Sequence, residues 1–270
     1  MVTPPCRVAV IGDVGGFVEH LHAAIATLGV TDSVWPDDLI VVQVGDLFGG
    51  RDDVAVAELV APHLESGRWV QLVGNWELEA VSASQVTNAK GRTADLDALH
   101  IFREWHRSGL VRRAAAVTSS AGVVGVITHA GISHGFWSAD LDADPDGRRV
   151  AHRLNTMPLS QVARPGEMFG AVNETAPGPI WSSWAESWSW WETPPFAQVH
   201  GHSSPWNSHR RQWWDATPDE LKQHATARDG HVMFNANPGM LPFVSIDPGL
   251  WDRSALGSLR PLVFRDAVLT

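Results

Sequence analysis

Apolar runs of roughly four to eight residues, rich in Val and Ile and closed by Gly, recur along the chain, and each delivers a polar side chain where it ends. RVAVIGDVGG (7–16) ends at Asp13, LIVVQVGDLFGG (39–50) at Asp46, and QLVGNWELEA (71–80) at Asn75 and Glu77. VVGVITHAG ends at His129, and FAQVHGHSS presents His200 and His202. Continuous apolar runs of this length read as strands buried on both faces. Between them lie helical patterns. GGFVEHLHAAIATLG carries Phe17, Leu21, Ile25 and Leu28 at helical spacing, with Gly29 placed as a C-terminal cap. DDVAVAELVAPHLESG predicts a helix disturbed by Pro62. TADLDALHIFREWHRSG predicts one with Thr93 as N-cap and Leu96, Leu99 and Phe102 on one face. Strand and helix alternate through this half, which predicts parallel crossover units in an α/β fold.

From about 136 to 195 the pattern breaks into polar, Pro- and Trp-rich sequence, including DLDADPDGRR and WSSWAESWSWWETPP, with no strand period. Its place between the His129 and His202 runs makes it a candidate insertion or cap over a site, since long loops in compact domains usually carry function. The alternative is that its tryptophans pack the domain's edge or a dimer contact. Residues 206–231 read as polar and peripheral, and HVMFNAN, FVSIDPG and LVFRDAV as short strands completing an antiparallel part of the sheet. The 270 residues fit a single domain carrying that insertion.

Composition narrows the function classes. A net charge of -10, from 30 acidic against 20 basic residues, argues against a nucleic-acid binder that relies on a general positive surface. No apolar run approaches membrane-spanning length, so no membrane partner is expected. Cys6 is the only cysteine, which rules out an intrachain disulfide, and with no secretory pattern at residues 1–10 the expected location is cytoplasmic. The 14 Trp against no Tyr are unusual, with Trp181, Trp184, Trp188, Trp190 and Trp191 crowded together, and an exposed Trp-rich face would suit a homo-oligomer.

Catalytic groups on α/β sheets gather at the carboxyl ends of strands. Two Asp, one Asn and two or three His delivered in that way form an oxygen and nitrogen set suited to a borderline divalent metal pair. GDVGGF is neither G-x-G-x-x-G nor a Walker loop, which sets aside a nucleotide-binding reading. His20 and His22 flank the first helix's apolar stripe, where solvated positions are expected for both.

The order Asp13, Gly45-Asp46, Gly74-Asn75-x-Glu77, His129-Ala130-Gly131, Gly201-His202 resembles the calcineurin-like metallophosphoesterase superfamily, in its phosphoprotein-phosphatase and diadenosine-tetraphosphatase branch. The resemblance runs from residue 7 to about 250, where VSIDPGLW is similar to a late strand of that fold. It implies an α/β/β/α sandwich of two mixed sheets flanked by helices. It also implies two divalent ions (Mn, Fe or Zn) and hydrolysis of a phosphate ester or anhydride by water attacking phosphorus in line. Asp46 would bridge the ions, Asn75, His129 and His202 would complete one position, and Asp13 would serve the other. Catalytic roles are thereby implied for Asp46, Asn75 and His129.

Three departures stand out. Gly15 occupies the place of a usual ligand histidine, and His200, two residues from His202 on a strand, is the candidate to compensate; the alternative is a hydrogen-bonded strand histidine. Trp76 replaces a histidine that protonates the leaving oxygen, leaving Glu77, His129 and His134 as candidate donors, or a substrate such as a phosphoanhydride that needs little help. The loop after Asp46 lacks Asp-Arg-Gly, and Arg51, one residue late, is the candidate phosphate ligand; the alternative is a surface Arg beside Asp52 and Asp53. These losses also permit a catalytically impaired member that binds a ligand or protein.

Overall fold

The first half of the chain alternates as its pattern predicts. β1 (Cys6–Ile11), α1 (Val18–Ala26), β2 (Leu39–Gln43), α2 (Asp53–Glu65), β3 (Trp69–Leu72), α3 (Leu78–Val81), α4 (Leu96–Arg107) and β4 (Val111–Arg112) follow one another, and β1 to β4 are parallel neighbours. A hairpin of β5 (Ala114–Thr118) and β6 (Val124–Thr128) comes next, then α5 (His134–Asp140), α6 (Gly147–Thr156), α7 (Leu159–Val162) and α8 (Trp184–Ser187), before β7 (Ala197–His200) returns parallel to β6. The rest comprises β8 (Trp206–Asn207), β9 (Gln212–Trp213), α9 (Asp219–His224), β10 (Ala225–Arg228), β11 (His231–Phe234), β12 (Phe243–Ser245) and β13 (Leu262–Leu269). This computed structural model describes residues 6–31, 34–81, 94–167, 176–188, 190, 194–235, 242–249 and 259–270.

Eleven strands form one mixed sheet in the order β10-β11-β12-β7-β6-β5-β13-β1-β2-β3-β4, and β8-β9 stand apart as a small hairpin. β13 is the junction: its earlier residues pair antiparallel with β1, whereas Val268 and Leu269 pair with β5. The two-residue side-chain period then sorts the core. Val8, Val10, Val42, Val70 and Leu72 share an all-strand cluster with Ala115, Val117, Ile127, Val199 and Val244 from the other side of β13. Their sequence neighbours Ala9, Ile11, Val41, Ala114, Ala116 and Val126 instead lie in a cluster with helix residues Leu21, Val60, Phe102, Val150 and Leu154. β1, β2, β5 and β6 are thus apolar on both faces, which is why such runs read as continuous.

Several expectations need correction. α2 continues through Pro62, held by the burial of Val56, Ala57, Val60 and Leu64 along one side. α4 is capped by Asp95, whose carboxylate accepts from the Asp97 and Ala98 amides at 2.8 and 3.4 Å; Thr93 lies outside the described residues. Its inner face is Ala98, Leu99, Phe102 and Trp105, while Leu96, two positions before Ala98 and so turned away from it, is 78% exposed. Within 136–195, α6 is a layer of the fold rather than a cap, because Val150, Ala151 and Leu154 are buried in the helix-side cluster. β12 is parallel to β7 and antiparallel to β11, so the late strands complete a mixed region, and Trp251 of the VSIDPGLW run lies outside the described residues.

Candidate metal centre

The loops at the carboxyl ends of β1, β2, β3, β6 and β7 are brought together by glycines that no other residue could replace without displacement. A Cβ on Gly74 would stand 2.2 Å from Asp46 Oδ1, and one on Gly201 would stand 2.0 Å from Asp13 Oδ1. The Gly before Asn75 and the Gly before His202 therefore mark close approaches of backbone to carboxylate. Asp46 and His202 both adopt left-handed backbone angles, φ 53° and 62°. For residues with a Cβ this conformation costs about 1–3 kcal/mol each, and such strain collects at functional sites.

Asp46, His129 and His202 each place a ligand atom within 4.8 Å of the others, and all three are buried. Asn75 joins them. His129 is fixed by Nδ1, which lies 3.1 Å from the Val44 carbonyl; a carbonyl only accepts, so Nδ1 carries the proton and Nε2 carries a lone pair. That Nε2 faces Asn75 Oδ1 at 2.8 Å and Asp46 Oδ1 at 3.5 Å. The His202 ring lies 4.8 Å from the His129 ring and 5.9 Å from that of Trp181, edge-on. Burial, followed by the neighbouring His202, holds His129 well below the usual imidazole range, and burial with His200 takes His202 down to about 3. Both rings are neutral, as ligand histidines must be.

The carboxylates show the complementary pattern. Burial and Asp247 push Asp13 well above the usual carboxylate range, and burial with Asp13 and Glu77 does the same to Asp46. Burial lifts Glu77 to about 7 and Asp247 to about 6. Asp13 accepts the His202 amide at 3.0 and 3.2 Å, linking the loops after β1 and β7. Asp46 Oδ1 accepts the Trp76 amide at 2.9 Å, so the residue in place of the expected histidine contributes its backbone here. Carboxylates that oppose one another's ionisation, set among neutral imidazoles, form a donor set that a divalent cation would satisfy. The residues present thus fit a metal ion.

No protein-family model matches the chain. No curated protein matches it in sequence either.

The remaining sequence candidates fall differently. His200 does not join the cluster: its Nδ1 lies 2.9 Å from the Gly201 carbonyl and its Nε2 accepts the Trp188 indole at 2.9 Å. The alternation expected to carry both histidines inward ends with β7 at His200, because His202 lies beyond the strand in a left-handed conformation. Glu77 accepts the amides of Asp46, Phe48 and Gly74 at 3.0, 3.2 and 2.9 Å, clamping the loop after β2 to the loop after β3. His134 packs against both Trp137 and Trp190, with centroids at 5.7 and 5.5 Å. Arg51 lies with its guanidinium carbon 4.1 Å from the Phe17 ring centroid, and Asp53 beside it is buried, accepting the Gly49 and Gly50 amides at 2.8 Å. His22 is exposed as expected, but His20 is buried and stacks on Phe17 at 5.0 Å. Of the crowded tryptophans, Trp181 and Trp188 are buried, and Trp188 stacks on Phe234 at 5.4 Å; Trp191 lies outside the described residues. Trp184 and Trp190 are half-buried.

Sequence reasoning passed over three positions. Gln43 is fully buried, donating to the carbonyls of Gly12 at 3.1 Å and Gly45 at 2.7 Å and accepting the Gly45 amide, so it ties the Asp13 loop to the Asp46 loop. Gln71 donates to Gln43 from β3 and accepts the Trp69 indole. An amide interrupting an apolar run shortly before Gly is the signal that marks both. Asp247, just past β12, was signalled by its place before Pro-Gly at the end of an apolar run.

Proposed function

We propose that the protein is a metal-dependent hydrolase of phosphate esters or anhydrides. The observation that carries this reading is the convergence of lone pairs from Asp46, His129 and His202 within 4.8 Å, in a buried site where Asn75 Oδ1 meets His129 Nε2 at 2.8 Å. Two acceptors at that distance repel unless a cation lies between them. Asp46, Asn75, His129 and His202 would hold one ion, and Asp46 with Asp13 a second. When bound, divalent ions of this kind polarise phosphoryl oxygens and make a nucleophile of water at neutral pH. The chain's own part is to fix these donors. Val44 sets the His129 tautomer, Trp76 N–H orients Asp46, and Glu77 and Gln43 lock the loops. Arg51 anchors the substrate's phosphate, with Phe17 steadying its guanidinium. In place of a histidine at Trp76, an activated leaving group such as an anhydride lowers the demand for a proton.

The finer architecture belongs to the same proposal. An all-strand cluster shared by the two halves of the sheet, with helices on the opposite faces, supports an α/β/β/α sandwich of metallophosphoesterase type.

A second reading is a one-metal binding module. It is favoured by the finding that, among the described residues, a single cluster of three His, Cys, Asp or Glu ligands is present. Metal analysis of the purified protein, with p-nitrophenyl phosphate turnover in added Mn²⁺ for wild type and Asp46→Asn, separates the two. Two metals per chain, with turnover that Asp46→Asn abolishes, is the expected result. One metal without turnover above that variant supports the module. No metal at all sinks both, and would mean that the Asn75 amide is rotated to donate from Nδ2 to His129.

A further inference from the structure

A second constellation lies away from the carboxylate cluster. A cavity of about 550 Å³ opens between α4, β4 and α6, lined among others by His106, Arg112, Arg113, Arg148, His152 and Asn155. In a chain of net charge -10, three guanidinium groups on one cavity are an unusual concentration. Six arginines elsewhere are paired with carboxylates: Arg7 with Asp38, Arg68 with Asp37, Arg107 with Glu104, Arg149 with Asp144, Arg153 with Asp142, and Arg164 with Asp140. Among the described residues no carboxylate pairs with Arg112, Arg113 or Arg148.

We propose that this cavity is a binding site for a small anion bearing two or more oxyanion charges, gripped by Arg112 and Arg148 with Arg113 at its back wall.

The cavity is preformed. The Arg113 amide donates to Asn155 Oδ1 at 2.7 Å, and Asn155 Nδ2 donates to the Ala114 carbonyl at 2.9 Å, fastening the β4–β5 corner to α6. Arg113 Nη1 donates to carbonyls at the carboxyl end of α6, at Leu154, Asn155 and Met157, which sets the plane of the guanidinium. Arg113 is half-buried, which lowers its pKa, and burial together with the Arg113 charge holds His106 below its usual range. Arg148 Nε donates to Thr118 Oγ1 at 3.2 Å, and Arg112 is held in the strand ladder, its carbonyl accepting the Val73 amide at 2.9 Å. Planar, oriented guanidinium groups suit phosphate and carboxylate forks. The volume lies within the range of small-ligand pockets, about 300–1,000 Å³.

The test is calorimetric titration of the full chain, stripped of metal by chelation and desalting, with pyrophosphate and, in a parallel arm, with citrate. One-to-one binding of either probe is expected, the tighter one naming phosphate or carboxylate as the natural headgroup. Arg112→Gln with Arg148→Gln, both at exposed side chains, should weaken it roughly tenfold or more. Arg149→Gln makes the same charge change per residue outside the cavity and should leave it within about twofold. Asp46→Asn should also leave it intact. Binding unchanged in the double variant, lost in Asp46→Asn, or absent for both probes in wild type at roughly millimolar concentration would overturn the proposal. The far-ultraviolet spectrum and melting temperature of the double variant check its fold, and the single Arg148→Gln variant provides the same comparison if the double is unstable.

Discussion

The Trp188 indole and the His200 ring form a buried donor and acceptor pair. Trp188→Phe would keep an aromatic face toward Phe234 but remove the N–H that His200 Nε2 accepts at 2.9 Å. A buried acceptor left unmade costs about 1–3 kcal/mol, so urea denaturation should show a loss of that order. Metal content should stay at the wild-type value, since His200 holds its partner rather than an ion; a fall in stoichiometry would return His200 to the ligand set. At this scale the sequence was legible where Gly punctuates a strand end, and so Asp46, Asn75, His129 and His202 were found. It was not legible where side-chain direction depended on a backbone turn, as at His202, or where burial came from a neighbour on the same helix turn, as for His20 on Phe17. Asp247 stands before Pro-Gly at the end of an apolar run, but only its proximity to Asp13 gives that position meaning.

The candidate ligands sit in the loops just past strand ends, and what adjusts Asp13, Asp46, Asn75 and His202 is the glycine that precedes each. Gly201→Ala would place a methyl 2.0 Å from Asp13 Oδ1 and 2.7 Å from Val44 Cγ2, so the loops after β1 and β7 must separate. Loss of metal stoichiometry together with a lowered melting temperature is expected. Gly122→Ala is the comparison: it sits at φ 79° but with open space around it, so it should carry a local backbone cost, about 1 kcal/mol, and retain full metal content. Equal metal loss in both would show that the close approach at Gly201 is unimportant. Helices and parallel strands in the first half were readable from period and capping. β5 was not, because its three alanines have little β propensity and it forms by pairing along β6. α6 was hidden by charge: its polar face dominates the composition, while three apolar residues are enough to hold it on the sheet.

At the scale of the whole molecule, the proposed metal site would couple metal to stability. A ligand that binds only the folded chain at 100 times its Kd adds about 2.7 kcal/mol, so chelation should lower the melting temperature by several degrees. Without metal, the raised carboxylates set a pH dependence. Glu77 near 7 and Asp247 near 6 favour the protonated folded state, so their contribution is complete below the unfolded values and is lost as pH rises through 6 to 7. His200 near 4 and His202 near 3 act oppositely, their contribution being lost as pH falls below 6.5. Asp247→Asn keeps an acceptor for the Gly249 amide at 2.9 Å while removing the charge. In chelator it should melt higher than wild type at pH 7.5 and equal to it near pH 4, and added Mn²⁺ should shrink the gain; a variant less stable at pH 7.5 would contradict the charge argument. Chain order let the alternating half be read, but the sheet's union could not be, since it depends on pairing distant segments. Cys6 Sγ meets the Ala267 carbonyl across 261 positions. While a nascent chain still lacks residues 262–269, β1 and β5 each present an open edge with no cognate strand, and those edges are where a chaperone or a neighbouring chain would first engage.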